Sequence, residues 1–393
     1  MPISSSDPAS QFPLDRVVDN RLYTDPEAFQ AEKDNIFSKV WLFACHESEL
    51  QNSGDYITTH IAGEPVLLCR NEDGELRAYV NTCRHRGSTV VLEEAGNSPK
   101  FRCPYHFWVY NLDGELTGVP HEEAYEGTCF EKGNFPLIQL RVDSVLGLVF
   151  LNFEDEPMPL REFLGERLIS DLSQPLANAD FSVVAKSQTE EFPLNWKMFA
   201  ENSRDGYHVP FVHPFLRKTS PPKLYHLYEN GHAIQNLGID WEGFDGWDME
   251  KVKADPFPGL ETGVGYIVTF FPDTTLMLRW NMISIDSQQV ISHDRLRFEN
   301  RTLGLVGDDE AAKEVRICNQ RMWFGNPVET EDRPIFLAQQ AGVQASRPRY
   351  SIIARGKDAT TGTRGDDNRL RQFWVVWREL MGTGNSNSLE GME

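Results

Sequence analysis

Two short stretches constrain this chain more than anything else in it: Cys83-Arg-His85 and Cys103-Pro-Tyr-His106. Each supplies one thiolate and one imidazole, and 17 residues separate His85 from Cys103. A two-iron, two-sulfur centre with two Cys on one iron and two His on the other needs that inventory. Neutral imidazoles in place of two thiolates leave less negative charge on the cluster and raise its potential. A Cys₂His₂ zinc site draws on the same residue types. Zinc fingers, however, place two Cys together and then two His, whereas here the types alternate. The spacing points to an electron-transfer cluster held by Cys83, His85, Cys103 and His106.

Composition sets the bounds. A chain of 393 residues can bury a large core and is expected to divide into two or three domains. A net charge of −21 excludes a nucleic-acid footprint and is read first as solubility. It could also recruit a basic redox partner, but no patch is located. No apolar run approaches the roughly 18 residues of a membrane span, and the N-terminus lacks the features of a signal peptide. A cytoplasmic protein is expected. Cys45, Cys69, Cys129 and Cys318 are read as small core residues.

In order along the chain, residues 1–15 are expected to be disordered. Asp25-Pro-Glu starts a helix, with Phe29, Ile36 and Phe37 on its apolar face. Short strands follow from Trp41 to about Phe153: 55–61, 65–70, 76–80, a hairpin across Asn111–Gly114, and a buried strand 145–153. Both Cys/His pairs fall on loops between these strands, where free backbone N–H groups can bond to cluster sulfurs. After the Pro/acid linker 154–159 the pattern turns α+β. Helices are expected at 160–172, 194–202, 311–324 and 370–381. Strands are expected at 181–191, 265–271, 275–285 and 290–298, with a mobile loop at 356–368 and a polar tail from 382.

A second metal site is written in Glu201-Asn-Ser-Arg-Asp205-Gly-Tyr-His208-Val-Pro-Phe-Val-His213. Asp205 and His208, three apart, would share a helix face. His208 and His213, five apart, would point about 140° apart on an unbroken helix. Pro210 is expected to break it and let His213 turn back. Two His and one distant carboxylate form the facial triad of a non-haem Fe(II) oxygenase, with positions open for O₂. Glu329, Glu331 and Asp332 are downstream candidates that position alone does not separate, and Asp205 is a rival on spacing. Two His near a helix end and a solvated acidic turn are the plain alternatives. A redox cluster in the same chain argues against them, because an O₂-activating iron needs electrons.

With these residues in place, the chain resembles the α (catalytic) subunits of Rieske non-haem iron ring-hydroxylating oxygenases over about residues 35–381. The markers are Cys-x-His-x₁₇-Cys-x₂-His, Asn195-Trp-Lys with Glu201-Asn-x₂-Asp-x-Tyr-His-x₄-His, and Glu-x-Glu-Asp at 329–332. The resemblance implies a small all-β [2Fe-2S] domain at 41–155 and an α+β helix-grip catalytic domain at 156–383. Residues 1–40 would pack on the latter and 384–393 would form a polar tail. It implies that Cys83, His85, Cys103 and His106 bind the cluster and that His208, His213 and Asp332 bind mononuclear Fe(II). Asp205 would be the carboxylate linking an iron-bound His to a cluster His of the neighbouring subunit in a head-to-tail trimer, and Asn202 and Tyr207 would line that route and the iron pocket. The family usually has Gly after the last cluster His. Here Phe107 implies another backbone shape or a ring shielding the cluster.

No G-x-G-x-x-G opening a βαβ unit and no plant-type ferredoxin spacing occur, so a separate NAD(P)H-dependent reductase, with or without a ferredoxin, is implied. The expected activity is hydroxylation or cis-dihydroxylation of an aromatic compound. The segment 369–381 resembles aromatic-acid members of the family, and Arg279 could pair a substrate carboxylate or be a solvated strand charge. The alternative substrate is a quaternary ammonium or N/O-methyl compound, for which an aromatic box without a nearby cation would speak. A non-catalytic Rieske electron carrier is the alternative outside enzymes. A small β subunit on the trimer is left open.

Overall fold

The computed structural model describes residues 7–213, 225–238, 250, 254–261, 263–322, 328–363, 365–384 and 386–387. The side chains of Val328 and Glu329 lie outside this set. The chain divides into two compact units, residues 38–160 and residues 1–37 with 161–393.

The 38–160 unit is all-β. Its larger antiparallel sheet runs in the order Leu42–His46, Leu148–Asn152, Gln139–Val145, Leu76–Val80, Glu64–Arg70, Asp55–Ile61, Ala95–Asn97. A three-stranded sheet joins Phe101–Arg102, Val109–Tyr110 and Leu116–Gly118. Turns at Ala62–Gly63 and at residues 71–74 separate the strands, and Gly63 and Gly74 adopt positive φ there. The buried strand begins at Leu148 rather than Val145, because Leu146 and Gly147 turn the chain with φ of 55° and 81°. Tyr56, Leu67, Tyr79, Trp108 and Tyr110 form a core that also encloses Cys83 and Cys103.

The other unit is built on an antiparallel sheet of eight strands among the described residues. They are β1 (Phe181–Gln188), β2 (Tyr225–Leu227), β3 (Ala233–Gly238), β4 (Val264–Phe270), β5 (Thr274–Arg279), β6 (Met282–Ser292), β7 (Arg295–Leu305) and β8 (Thr361–Gly362). The order is β1-β7-β6-β5-β4-β3-β2-β8. The expected strands 275–285 and 290–298 each run through a hairpin turn, at Trp280–Asn281 and His293–Asp294. Around Trp280–Asn281 the residues on both sides are buried, which hid the first turn, whereas the second turn lies in the polar stretch Ser292–Arg295 and was legible in the sequence.

Among the described residues the α-helices are α1 (Pro26–Glu32), α2 (Leu160–Leu164), α3 (Glu166–Leu176), α4 (Trp196–Asn202), α5 (Val209–Val212), α6 (Glu310–Gln320), α7 (Arg333–Val343) and α8 (Asn368–Met381). Asp25 caps α1 with Pro26 at its first position, as expected. Gly165, at φ 81°, splits the single helix expected at 160–172. Leu370, Trp374, Trp377 and Met381 are buried along α8.

Further expectations change. Residues 8–11 and 14–16 form short 3₁₀ helices, so the N-terminal segment is ordered from Asp7. The 356–368 loop contributes β8, Asp366 accepts from the Thr363 N–H within it, and Asp367 accepts from the Arg355 N–H just before it. Asn387 of the tail is buried and bonds the Val17 carbonyl through Nδ2. Residues 1–6 and 388–393 lie outside the described set. Cys129 and Cys318 are exposed, whereas Cys45 and Cys69 are buried. Short apolar surroundings in sequence do not decide burial where the segment is an irregular loop or the outward side of a helix.

Register places Phe298, Asn300 and Thr302 of β7 on one sheet face with Ser284 and Asp286 of β6, Thr275, Met277 and Arg279 of β5, and Gln235 of β3. Phe199 of α4 meets Phe298 on this face, with ring centroids 4.4 Å apart, and lies 6.0 Å from Phe336 of α7. Arg369 of α8 bonds Gln235 there. The opposite face, with Ile234, Tyr266 and Leu278, lies against α3 around a cavity of about 520 Å³.

Candidate metal centres

In the 38–160 unit both Cys/His pairs sit on tight loops of like construction. Gly87 N–H bonds the Cys83 carbonyl at 3.0 Å, and Phe107 N–H bonds the Cys103 carbonyl at 3.0 Å. The residue four beyond each Cys is left-handed: Gly87 has φ 72° and Phe107 φ 58°. The second loop therefore keeps the backbone that glycine favours, and Phe107 is held in it. Its ring is 53% exposed, with the Arg102 guanidinium 5.8 Å from its centroid, so it does not shield the loop interior.

The donor set is drawn together. Cys83 and Cys103 are 3% and 1% exposed, and the two thiols are hydrogen-bonded neighbours. Burial pushes the Cys83 thiol up, and the adjacent Cys103 adds to this. The His85 and His106 rings lie 4.6 Å apart. Burial, then His106 and Arg86, lower His85. His85 Nδ1 is buried and has no hydrogen-bond partner. A buried acceptor without a partner is costly unless something else fills the role, and a metal ion would do so. The residues fit a two-iron, two-sulfur group held by two thiolates and two imidazoles.

Groups around this set tie it in place. Tyr110 Oη accepts from the Arg84 N–H at 3.1 Å and lies 3.3 Å from Cys83 Sγ. Trp108 stacks on His85 at 4.8 Å and 11°. Arg86 donates to His106 Nε2 at 2.7 Å and lies over the exposed Tyr105 ring. Sequence reasoning did not single out Tyr110, Trp108 or Arg86. Only the general expectation that ligands are oriented by a further layer of groups pointed to such residues.

In the other unit the segment after α4 carries the second constellation. Asn195 caps α4 through its side chain. Glu32 of α1, fully buried, accepts from Lys197 Nζ at 2.7 Å, Trp196 Nε1 at 2.8 Å and Trp377 Nε1 at 2.9 Å. Glu201 Oε1 accepts from Tyr23 Oη at 2.7 Å and Trp374 Nε1 at 2.8 Å. These buried bonds clamp α4 between α1 and α8.

α4 ends at Asn202 with Ser203 as its C-cap, so Asp205 and His208 do not share the helix face that the spacing suggested. They meet instead across a turn, with His208 Nδ1 3.0 Å from Asp205 Oδ2. Burial would raise the Asp205 carboxyl, but the hydrogen bond and charge of His208 outweigh it and hold it low. Pro210 lies in the first turn of α5 and does not break a longer helix. His208 and His213 are the residues flanking that single turn, and this makes them converge.

Asp332, at the N-terminus of α7 and 6% exposed, completes the group. His208, His213 and Asp332 present one ligand atom each, all within 4.8 Å of one another. His213 Nε2 is 3.3 Å and His208 Nε2 3.9 Å from Asp332 Oδ1. Glu331 does not join them: its Oε2 accepts from His213 Nδ1 at 2.6 Å. Burial alone would lower His213, but Asp332 and Glu331 raise it. Both imidazoles thus use Nδ1 on a carboxylate and aim Nε2 inward, the arrangement that fixes a metal-binding tautomer. Two His and one carboxylate match the facial triad for non-haem iron. The side chain of Glu329 lies outside the described residues.

Tyr207 is 48% exposed, with the Arg355 guanidinium 3.2 Å from its ring centroid. Asn202 ends α4, and its carbonyl accepts from the Asp205 N–H at 3.2 Å. Arg279 is 3% exposed rather than solvated, and burial pulls its guanidinium down to about 10. Gly265 stands opposite it, where a Cβ would come within 3.2 Å of Arg279 Nη1, so glycine makes room for the guanidinium.

Comparison with known proteins agrees in both units. Residues 40–137 match a Rieske [2Fe-2S] domain and residues 180–383 the catalytic domain of ring-hydroxylating alpha subunits. The chain is 34% identical to the alpha subunit of 2-aminobenzenesulfonate 2,3-dioxygenase from Alcaligenes sp., over 93% of each chain. It is 30% identical to the large subunit of anthranilate 1,2-dioxygenase from Acinetobacter baylyi, over 85% of this chain and 79% of that one. In fold it is similar to naphthalene 1,2-dioxygenase from Rhodococcus sp., with a TM-score of 0.80 and 23% identity over 94% and 95% of the two chains. A quaternary ammonium Rieske monooxygenase superposes with a TM-score of 0.78 and 23% identity over 93% and 95%. The chain belongs to the α subunits of the Rieske ring-hydroxylating oxygenases, enzymes whose cofactors are a [2Fe-2S] cluster and a mononuclear iron.

Proposed function

We propose that this oxygenase acts on aromatic acids, carboxylates or sulfonates, with Cys83, His85, Cys103 and His106 holding the cluster and His208, His213 and Asp332 the iron. The observation that carries the reading is the meeting of His208, His213 and Asp332 within 4.8 Å, with a separate carboxylate on each imidazole. When bound, the cluster supplies single electrons and the iron a site at which O₂ is reduced.

The protein's own part is positioning. Asp205 and Glu331 hold the Nδ1 atoms of His208 and His213, so that both Nε2 atoms face one point. Asp205, 25% exposed at its side chain, is the group suited to link His208 to a cluster His of a neighbouring subunit in a homotrimer. Asn202 and Tyr207 flank that segment. An NAD(P)H-dependent reductase, with or without a ferredoxin, would supply the electrons. A cytoplasmic location accords with the absence, among the described residues, of any helix long and apolar enough to cross a membrane.

Arg279 favours an anionic substrate over a quaternary ammonium one. A guanidinium carries five N–H donors in a planar fork, and one buried on the face that carries α4 and α7 suits a carboxylate or sulfonate better than a fixed cation. Relatives named for 2-aminobenzenesulfonate, anthranilate and terephthalate point the same way.

The test is iron content and EPR on anaerobically purified protein, wild type beside His213→Ala. About three irons per chain, a reduced Rieske signal, and loss of one iron in the variant are expected. Two irons in both proteins would leave only an electron carrier, and zinc without a signal would overturn the assignment.

A further inference from the structure

The sheet face beneath α4 holds a carboxyl group that neither metal centre uses. Asp286 of β6 is 4% exposed and pairs in register with Asn300 of β7 and Thr275 of β5. Its Oδ2 accepts from Ser284 Oγ at 3.0 Å and its Oδ1 from Asn300 Nδ2 at 2.7 Å. Asn300 Nδ2 also reaches Ser284 Oγ at 2.6 Å, and Thr302 Oγ1 lies 3.4 Å from Asn300 Oδ1. Among the described residues, no Lys, Arg or His acts on this carboxyl. Burial pushes it up to about 7, opposed only by Asn300 and Ser284.

Three features separate this cluster from an ordinary buried pin between strands. First, it is acceptor-rich. A carboxylate offers about four acceptor sites, and two donors are spent on it. Second, it lies beside the iron-binding elements. Asn300 is two residues along the same face from Phe298, which meets Phe199 of α4, and Phe199 meets Phe336 of α7, the helix that Asp332 begins. Third, Arg279 lies on the same face, on the strand next to β6. One strand pair thus presents a cationic and an acceptor group to the side of the sheet where the triad sits.

We propose that Asp286, positioned by Ser284 and Asn300, is a specificity-determining subsite that accepts a hydrogen bond from a ring amino or hydroxyl group of the substrate. The inference rests on the aromatic-acid reading above and narrows it to acids that also carry an N–H or O–H donor. A substrate donor would engage the remaining acceptor sites, whereas an unsubstituted ring would leave them unmet. Pockets built to hydrogen-bond a substrate group discriminate strongly against analogues that lack it.

The test uses reconstituted holoenzyme with its electron supply, comparing 2-aminobenzoate with benzoate and 2-aminobenzenesulfonate with benzenesulfonate. Wild type should prefer each amino acid partner. Asp286→Asn should lower kcat/KM for the amino compounds about tenfold, the order of one hydrogen bond. The loss should lie mainly in KM, with the unsubstituted acids and iron content unchanged. Asp286→Ser, which removes the carboxyl without adding bulk, should give the same selectivity if Asn disturbs packing. An equal loss on amino and unsubstituted acids in both variants, or a wild type without preference, overturns the subsite alone. A wild type that neither binds nor oxidises any of the four overturns the aromatic-acid reading and the subsite with it.

Discussion

The two metal centres are built in opposite ways. The cluster donors come from two β-loops within 24 residues, and the thiols lie inside the core of their own unit. The iron donors come from a turn around α5 and from the start of α7, more than a hundred residues apart. The first site is local, and its donors are fixed by short backbone hydrogen bonds such as Phe107 N–H to Cys103 C=O. The second is an assembly, and its geometry depends on how α4, α7 and α8 are clamped together. Local sites should fail with their loops, and assembled sites with their clamps.

The largest effects test that division directly. Cys103→Ala should remove the cluster and destabilise the 38–160 unit, since the thiol is a buried core group there. His213→Ala should remove one iron and reduce oxygenation to background while the reduced Rieske signal persists. Metal analysis, EPR and thermal unfolding of both variants make the check. If His213→Ala also bleaches the cluster, the two centres are not independent.

Next is the clamp itself. Lys197→Met strands the Glu32 carboxylate among Trp196 and Trp377 in a fully buried site. Breaking a buried pair in this way costs about 3–5 kcal/mol, measurable by chemical denaturation. The companion Glu201 carries a pH signature. Burial raises it from about 4.5 to about 7 against the bonds from Tyr23 and Trp374. A carboxyl raised in the folded state contributes stability that is full below its unfolded value and is lost as pH rises through about 7. Glu201→Gln keeps Oε1 for both donors. Wild type should therefore lose stability relative to this variant, by a few kcal/mol at most, between pH 4.5 and 8. Parallel pH–stability curves would show that Glu201 is ionised throughout.

Glu331→Gln is a finer probe of the assembled site. The amide can still take up the position near His213 Nδ1, but without charge. Losses of about 10- to 100-fold in iron affinity are expected, with the triad and fold intact. Asp205→Asn should act similarly on His208 while also reducing electron delivery if Asp205 serves a neighbouring subunit. Equal iron affinity but lower turnover in Asp205→Asn alone would separate the two carboxylates by role.

The same division explains what the sequence could disclose. Cys83, His85, Cys103 and His106 could be read from spacing because a local site is encoded by local spacing. His208 and His213 were legible as a pair, but the reason they converge was not. Pro210 suggested a break inside a helix, whereas the helix ends at Asn202 and a separate single turn sits between the two His. Among the downstream acids, position did not separate Asp332 from Glu331 and only the resemblance named Asp332; the fold shows the reason, since Asp332 faces inward whereas Glu331 turns to His213. The hairpin at Trp280–Asn281 was hidden because strands buried on both faces show no alternation, whereas the one at His293–Asp294 was signalled by its polar turn residues. Asp286 was invisible for a related reason: its meaning depends on which face of β6 lies under α4.

The smallest prediction sets the two cluster loops against each other. Gly87 and Phe107 occupy equivalent left-handed positions, but only Phe107 bears a Cβ there. A non-glycine residue in this region is strained by about 1–2 kcal/mol, whereas glycine costs about 0.5–1 kcal/mol in unfolded-chain entropy. Phe107→Gly should therefore stabilise the 38–160 unit by about 0.5–1 kcal/mol. Gly87→Ala should destabilise it by about 1 kcal/mol through the backbone alone, since nothing lies within 4 Å of the added Cβ. The temperature at which the cluster's visible absorption bleaches should move up in the first variant and down in the second. If it falls in both, the exposed Phe107 ring and its contact with Arg102 contribute more to the loop than its backbone strain costs. The family's glycine would then be one solution at this position and not a requirement of the cluster loop.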